Sequence, residues 1–295
     1  MQDEATSGEP VAHAEPAGDV LRAVAARSAA QISAENFPVA LRMLPRRPRA
    51  ALTAVYAFAR FVDDVGDEAP GNRLALLDAV AADVRTAWSG GPPTLAPVAG
   101  LQPWIAAVSL RPDPFLDLVE ANRVDQRRSE YATFAELIDY CDLSAAPVGR
   151  IVLRIAAADS VQNVADSDAV CNALQVLEHC QDVGEDAGRG RVYLPQDDLA
   201  AAGVRPIDLR GTSTSSALRR VVAGQVQRAD ELLAAGPPLV HRLSGWARMA
   251  VAGYVAGGEA TAAALRGADF DVLSRTVKPG KARTAGYLAK HWVGR

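Results

Sequence analysis

Eight acids fall into two groups in which a spacing of four residues recurs. In YAFARFVDDVGDE, Tyr56 to Glu68, Asp63 precedes Asp67 by four and Asp64 precedes Glu68 by four. In EHCQDVGEDAGRGRVYLP the series is Glu178, Asp182 and Asp186, with Glu185 beside it. On a helix, residues four apart share a face, so each group becomes a column of carboxylates. Like charges at that spacing destabilise the helix unless something cationic neutralises them. Both groups sit among apolar residues, Val55, Phe58, Phe61 and Val62 for the first and Leu174, Val176, Leu177 and Val183 for the second. A carboxylate directed into such surroundings without a partner is costly. Mg²⁺ would supply the partner, because it takes oxygen ligands, keeps several waters and is shared between one or two carboxylates and a substrate's phosphates. Either group alone reads more plainly as a solvated acidic face. The recurrence of the pattern and its apolar setting favour a metal, with Asp63, Asp64, Asp67, Asp182, Glu185 and Asp186 as its expected ligands.

Basic residues accompany the acids. Arg60 lies one turn before the first columns, and Arg189 and Arg191 follow the second in GRGRVY. A guanidinium holds phosphate oxygens in bidentate fashion, so these three are expected to grip a diphosphate. Arg150, in SAAPVGR, either reaches the same anion or pairs with an acid. GRGRVY is not a dinucleotide fingerprint, since Tyr193 stands where the third glycine belongs and the segment follows a helix instead of a strand. Its plainer reading is a helix closed by Gly188. His179, a lone histidine beside the column, reads as a packed residue and stays outside the expected site.

The elements that position these groups read as helices. At 295 residues with 49% hydrophobic composition the chain has ample material for a core, and aromatics are only 5%. Apolar residues recur at spacings of three and four in stretches such as 50–67 and 218–233. No series of short β-branched runs marks a sandwich or barrel. Breakers fall at 45–49, 69–72, 89–100, 111–114, 188–191, 210–216 and 235–238, and no internal repeat is found. The acidic, proline-containing residues 1–19 read as a disordered leader, and 20–295 as one helical domain.

Several classes are excluded or expected on bulk properties. With a net charge of −4 and no basic run interleaved with aromatics, nucleic acid is not an expected partner. Three cysteines without a paired spacing indicate neither disulfides nor zinc. The N-terminus lacks the layout of a secretory signal, and no stretch reaches the ~18 apolar residues of a membrane span, so a cytoplasmic protein is expected. The tail after Asp271 carries Arg275, Lys278, Lys281, Arg283, Lys290 and Arg295 and no acid. Such a segment either rests on the inner face of an anionic membrane as a peripheral contact or forms a solvated terminal helix.

Four stretches together resemble one family. They are ENFPVALRMLP (35–45), YAFARFVDDVGDE (56–68), ELIDYCDLSAAPVGRIVL (136–153) and QDVGEDAGRGRVYLP (181–195), and they resemble the squalene/phytoene synthases. The resemblance implies an all-α isoprenoid synthase fold, a single helical domain around a central cavity with two facing Asp-rich helices. It implies Mg²⁺ held by acids at Asp63, Asp67, Asp182 and Asp186, and no NADPH. These acids, with Arg60 and Tyr193, are then the expected catalytic groups, and Phe37, Tyr56, Leu143 and Ala146 are expected to line the cavity. Within the family the chain is most similar to the lyase branch that turns presqualene diphosphate into hydroxysqualene in bacterial squalene and hopanoid pathways. Its pathway partners would be an enzyme that makes presqualene diphosphate and one that reduces hydroxysqualene.

Where squalene synthases performing both half-reactions read Y-C-x-Y-V-A-G, this chain keeps Tyr140 and Cys141 but has Leu143 and Ser144 in place of the second Tyr and the Val. Glu178 stands where the family usually has Asn, Gln181 where phytoene-type members tend to have Arg, and Ser33 and Ala34 where His-Tyr is expected. Two other activities are compatible with the resemblance. One is a prenyltransferase joining two farnesyl diphosphates to presqualene diphosphate or squalene, or two geranylgeranyl diphosphates to phytoene; the other is a non-catalytic interaction protein.

Overall fold

The computed structural model describes residues 17–34 and 44–293. Phe37 and nearly all of the 35–45 stretch lie outside them. The described residues form α-helices and one short 3₁₀ turn, with no strand. In chain order the helices are α1 (Ala17–Ala34), α2 (Arg46–Glu68), α3 (Arg73–Trp88), α4 (Ala96–Ala99), α5 (Gln102–Ala107), α6 (Asp113–Asp125), α7 (Phe134–Ser144) and α8 (Ala146–Ile155). They continue as α9 (Val161–Gln181), α10 (Val183–Gly188), α11 (Gln196–Ala202), α12 (Ser216–Leu233), α13 (Gly236–Arg242), α14 (Gly245–Gly267) and α15 (Lys281–Val293).

Several breakers turn out to be helix starts. Asn72 of APGN caps α3 by accepting from the Ala75 amide, and Ser215 of RGTSTSS caps α12 by accepting from Leu218, the ordinary work of such residues at an N-terminus. Helix α2 begins inside the proline-rich 45–49 segment, at Arg46 instead of after it. A proline in the first turn removes a donor that has no intrahelical partner anyway. In GRGRVY the left-handed residue is Gly190, at φ +82°, with Arg189 as the cap residue, so Gly190 closes the helix and Gly188 does not.

Two hydrophobic cores result. The first gathers α1 to α6 around Phe58, Phe61, Val62, Leu77, Val80 and Phe115, with Ile151 contributed by α8. Phe58 meets Phe115 edge to face, ring centres 5.3 Å apart, a favoured aromatic geometry. The second gathers α7 and α9 to α14 around Leu137, Cys141, Val176, Leu177, Val222 and Val255. Helix α9 is its axis, packing against α8, α12 and α14. The C-terminal helix α15 docks along α14: Leu288 packs on the second core, and Lys290 and the buried His291 both bond Glu259, at 3.2 and 2.7 Å. No helix among the described residues is long and apolar enough to cross a membrane.

Candidate active site

The first acidic group lies at the end of α2, and its two neighbouring aspartates part company. Successive helical residues are about 100° apart, so Asp63 and Asp64 cannot share a face. Asp64 turns toward α1 and is buried there, accepting from Ser28 Oγ at 2.5 Å and pairing with Arg60 Nε at 3.1 Å. Arg60 also donates to Gln31 on α1, at 3.1 Å. The pair Arg60 and Asp64, expected on diphosphate and metal, therefore belongs to the α1–α2 contact. Asp63 stays open to solvent at a recess between α2 and α6. Asn122 Nδ2 on α6 donates to its carboxylate at 3.1 Å. That approach needs Gly66, because a β-carbon there would lie 2.0 Å from Asn122 Oδ1. The protein packed around the recess takes water from the Asp63 carboxyl and pushes it up to about 6, with Asp67 adding repulsion and the Asn122 amide and Arg60 opposing.

The second group crosses a helix break. Helix α9 ends at Gln181, Asp182 caps it with non-helical dihedrals, and α10 begins at Val183. Backbone bonds nevertheless run from Asp182 N to Glu178 O at 3.0 Å and from Asp186 N to Asp182 O at 2.8 Å, so the four-residue register survives the break. Burial raises the carboxyls of Glu178 and Asp182, mutual repulsion with the other acids of the group adds to it, and His179 counters it in both. Glu185 and Arg189 pair with each other at 2.8 Å on the exposed side of α10, so the expected metal and diphosphate roles fall on a surface ion pair.

A network that the spacing did not reveal joins the two groups, and its centre is Asp125 at the end of α6. After α10 the chain is extended and bonds to the loop beyond α6, Val192 N to Ser129 O at 2.7 Å and Gln196 N to Tyr131 O at 2.9 Å. Alternate residues of an extended segment share a side, which points Arg191 and Tyr193 the same way. Tyr193 and Tyr140 donate to the two oxygens of Asp125 at 3.1 and 2.8 Å. Burial raises the Asp125 carboxyl while the Arg191 charge and both tyrosines lower it. Arg191 also bonds Asp67 at 2.9 Å. His179 stacks on Tyr193 with centres 3.8 Å apart and planes at 11°, and its Nδ1 lies 3.9 Å from Asp186. Contacts thus run from Asp67 to Arg191 on one side and from Asp125 through Tyr193 and His179 to Asp186 on the other, and the Arg191 charge acting on Asp125 couples the two runs. His179, set aside on sequence, is part of the network.

Beside the second group lies a cavity of about 210 Å³, room for several hydrocarbon units where a water takes about 30 Å³. Val148, Val152, Leu153, Leu174, Leu239 and Val251 supply most of its apolar wall, and Glu178 stands in the same lining. The residues from the α7–α8 junction that line it are Ser144 and Ala145, where Leu143 and Ala146 were expected. Leu143 packs on the second core, and Ala146 is fully buried. The helix breaks at Ala145, which resets the facing of Ala146 and the residues after it. Tyr56 is half-buried on α2 and is not in this lining. Arg150 is not either: it holds Asp168 at 3.0 Å and lies 3.6 Å from Asp117, so of its two readings the pairing one describes its contacts.

Among the described residues no three His, Cys, Asp or Glu side chains converge on one point as a closed metal centre. The donors on either side are carboxylate oxygens, and the raised carboxyls of Asp63 and Asp182 are groups whose charge the protein leaves incompletely compensated. That set fits Mg²⁺, which is commonly held by one or two carboxylates and completed by water and substrate phosphate.

Comparison with known proteins places this arrangement. The family model described as squalene/phytoene synthase matches residues 30–283. A hydroxysqualene synthase from Sinorhizobium fredii is 35% identical over 221 residues, 74% of either chain. A presqualene diphosphate synthase from Rhodopseudomonas palustris is 33% identical over 70% of this chain and 75% of its own. Among solved structures, the squalene synthase HpnC from Alicyclobacillus acidocaldarius superposes with a TM-score of 0.77 at 38% identity, covering 86% of this chain and 99% of that one. A dehydrosqualene synthase solved with a ligand has a TM-score of 0.79 at 22% identity, over 94% and 98% of the two chains, which speaks to the fold alone. With its all-α isoprenoid synthase fold and a family match over most of its length, the chain belongs to the squalene/phytoene synthase family.

Proposed function

We propose that this protein ionises presqualene diphosphate and captures the resulting carbocation with water, giving hydroxysqualene. The carrying observation is the position of Glu178, which belongs both to the acidic group of α9–α10 and to the lining of the apolar cavity. A molecule with its hydrocarbon in that cavity has its polar head at the carboxylates. Asp63 and Asp67 on one side and Asp182 and Asp186 on the other would hold Mg²⁺, which when bound stabilises a departing diphosphate. The chain's own residues do the rest. Asn122 fixes Asp63, and the Asp125 network with Tyr140, Tyr193 and His179 fixes the second group relative to the first. Arg191, already on Asp67, is the cation of the network best placed to meet an anion between the groups. The apolar wall keeps bulk water from the carbocation.

The hydroxysqualene synthase relatives and the Leu143-Ser144 pair support the lyase reading. A second reading, head-to-head condensation of two prenyl diphosphates, is favoured by the presqualene diphosphate synthase relative, which is nearly as similar. Purified protein with Mg²⁺ is to be incubated with presqualene diphosphate in one reaction and farnesyl diphosphate in another. Hydroxysqualene from the first and nothing from the second is the expected result; turnover of farnesyl diphosphate would replace the lyase reading with the condensation one.

A further inference from the structure

The chain as a whole is acidic, at −4, yet no acid follows Asp271 and six Lys and Arg residues do. Lys290 is neutralised, bonding Glu259 at 3.2 Å, and Arg295 lies outside the described residues. Arg275, Lys278, Lys281 and Arg283 are all exposed, and none of the four forms an ion pair among the described residues. Arg275 and Arg283 donate to the carbonyls of Ala268 and Ala263 around the end of α14, at 3.1 and 3.0 Å, which fixes the guanidiniums without cancelling their charge. The acids nearest in sequence, Asp269 and Asp271, are both held by Arg219, at 2.9 and 3.1 Å. Arg275, Lys278 and Arg283 line a hollow of about 550 Å³ between α14 and the start of α15, and no acid lines it. The hollow adjoins the second acidic group. Arg275 and Thr276 also line the neighbouring hollow that holds Asp182 and Glu185, and Gln181 donates to the carbonyl of Val277.

A patch of unpaired cations attracts phosphate. A single phosphate would meet the three that line the hollow, whereas Lys281 stands outside that lining; a surface of phosphates meets all four. Residues 275–283 contain no aromatic side chain to stack on a base as single-stranded nucleic-acid sites do. The apolar side of α15 is already used in the fold, Leu288 on the second core and His291 against Glu259, so the patch offers charge and no hydrophobic wedge. We infer that residues 275–283 seat the protein on an anionic lipid surface, with Arg275, Lys278, Lys281 and Arg283 meeting headgroup phosphates. Each cation near such a surface strengthens binding about fivefold, and salt weakens it. The acidic group of α9–α10 then lies beside the headgroup layer, and an amphiphile anchored in the bilayer reaches it head first. The contact is independent of the reaction proposed above. Of the two forms expected for this tail, the solvated helix is not the one observed, because α15 is docked along α14 and the free charge lies mostly ahead of it.

Full-length protein is to be sedimented with vesicles of phosphatidylcholine alone and of an equal mixture of phosphatidylcholine and phosphatidylglycerol. In low salt the mixed vesicles are expected to bind at least about 50-fold more tightly, and the preference is expected to vanish in about 1 M salt, where charges are screened beyond roughly 3 Å. The double variant Lys278→Ala with Lys281→Ala is expected to bind them about 25-fold more weakly with its circular dichroism unchanged, and arginine at both positions to restore binding. Lys290→Ala, which removes a cation already paired, is expected to change binding by less than about threefold. Equal binding to the two kinds of vesicle, or undiminished binding by the double alanine variant, overturns the lipid contact. A thermal-shift titration with inorganic phosphate, without vesicles, separates the two sources of phosphate: saturable stabilisation that the double alanine variant abolishes would make the hollow a site for the free anion and overturn the lipid surface. Tighter binding to a single-stranded DNA oligonucleotide than to the mixed vesicles would overturn it in favour of nucleic acid.

Discussion

The two acidic groups solve one problem with different parts. In both, an arginine lies within four residues of the acids and would neutralise them. In both, a neighbouring acid takes it up: Asp64 holds Arg60, and Glu185 holds Arg189. Asp63 is then left to a neutral amide from Asn122, and Asp186 to the edge of a stacked imidazole. Geometric support comes from groups that do not cancel the charge. The difference lies in burial: the Asp64 pair is built into the first core's contact with α1, whereas the Glu185 pair is on the surface. A column on one continuous helix needs an internal counter-ion, while a column across a break is held by the aromatic network. Asp67 is the exception, since Arg191 reaches it from the other side, and through that contact the two solutions become one site.

The strongest way to break this comparison is to remove one acid from each group. Asp63→Asn and Asp182→Asn are each expected to lower turnover by about 10³-fold, the scale of losing a preorganised electrostatic group, with far-UV circular dichroism unchanged. A large effect at only one of them would end the equivalence. Next is the link: Asp125→Asn removes one of the two carboxylate charges acting on Arg191 and weakens the acceptor shared by Tyr140 and Tyr193, costing about 1–3 kcal/mol of stability in denaturant unfolding, and lowers kcat/KM by roughly tenfold because both groups lose a common anchor. Third, the acids that take up arginine should separate from those that do chemistry. Asp64→Asn is expected to cost about 2 kcal/mol, as a buried charged hydrogen bond does, and Glu185→Gln about 0.5 kcal/mol or less, as exposed pairs do. Turnover within about threefold of the unmodified protein is expected in both; a collapse of turnover in either would return that acid to the metal.

The smallest effect concerns pH. In the folded chain Asp63 titrates near 6 against an ordinary 3.8, so the folded state binds more protons than the unfolded one across that window. Its stability therefore falls as pH rises through it. Asparagine, which cannot ionise, is expected to raise the melting temperature by about 2 °C at pH 7 in a chelator, a small shift because the group is open to solvent, and to change nothing at pH 4. Equal melting temperatures at both pH values would mean that burial does not load Asp63.

Much of this was legible in the sequence because a helix imposes one period. The two columns, the all-helical architecture and the apolar setting follow from spacings of three and four. What a spacing cannot choose is which of two adjacent acids faces the site, because that depends on what packs on the other side of the helix: Ser28 and Gln31 of α1 claim Asp64 and Arg60. Asp125 carried no signal at all, a single acid in a loop-bound VDQRR run that enters the site through contacts 15 and 68 residues distant in the chain. The α7–α8 junction was misjudged by one residue in each direction, although Pro147, a residue at home in a first helical turn, signals a fresh helix start at that point.

The cavity has one further chemical requirement. If the cavity shelters a carbocation as proposed, a thiolate in its wall would compete with water for it. Cys171 lines the cavity, and Gly149 allows its sulfur close against α8, since a β-carbon on that glycine would stand 2.7 Å from Sγ. Burial, helped by the Asp168 charge, pushes the Cys171 thiol up to about 11, so at neutral pH almost none of it is the reactive thiolate. The tight contact of α8 on α9 thus keeps the Cys171 sulfur in its protonated form in the cavity wall.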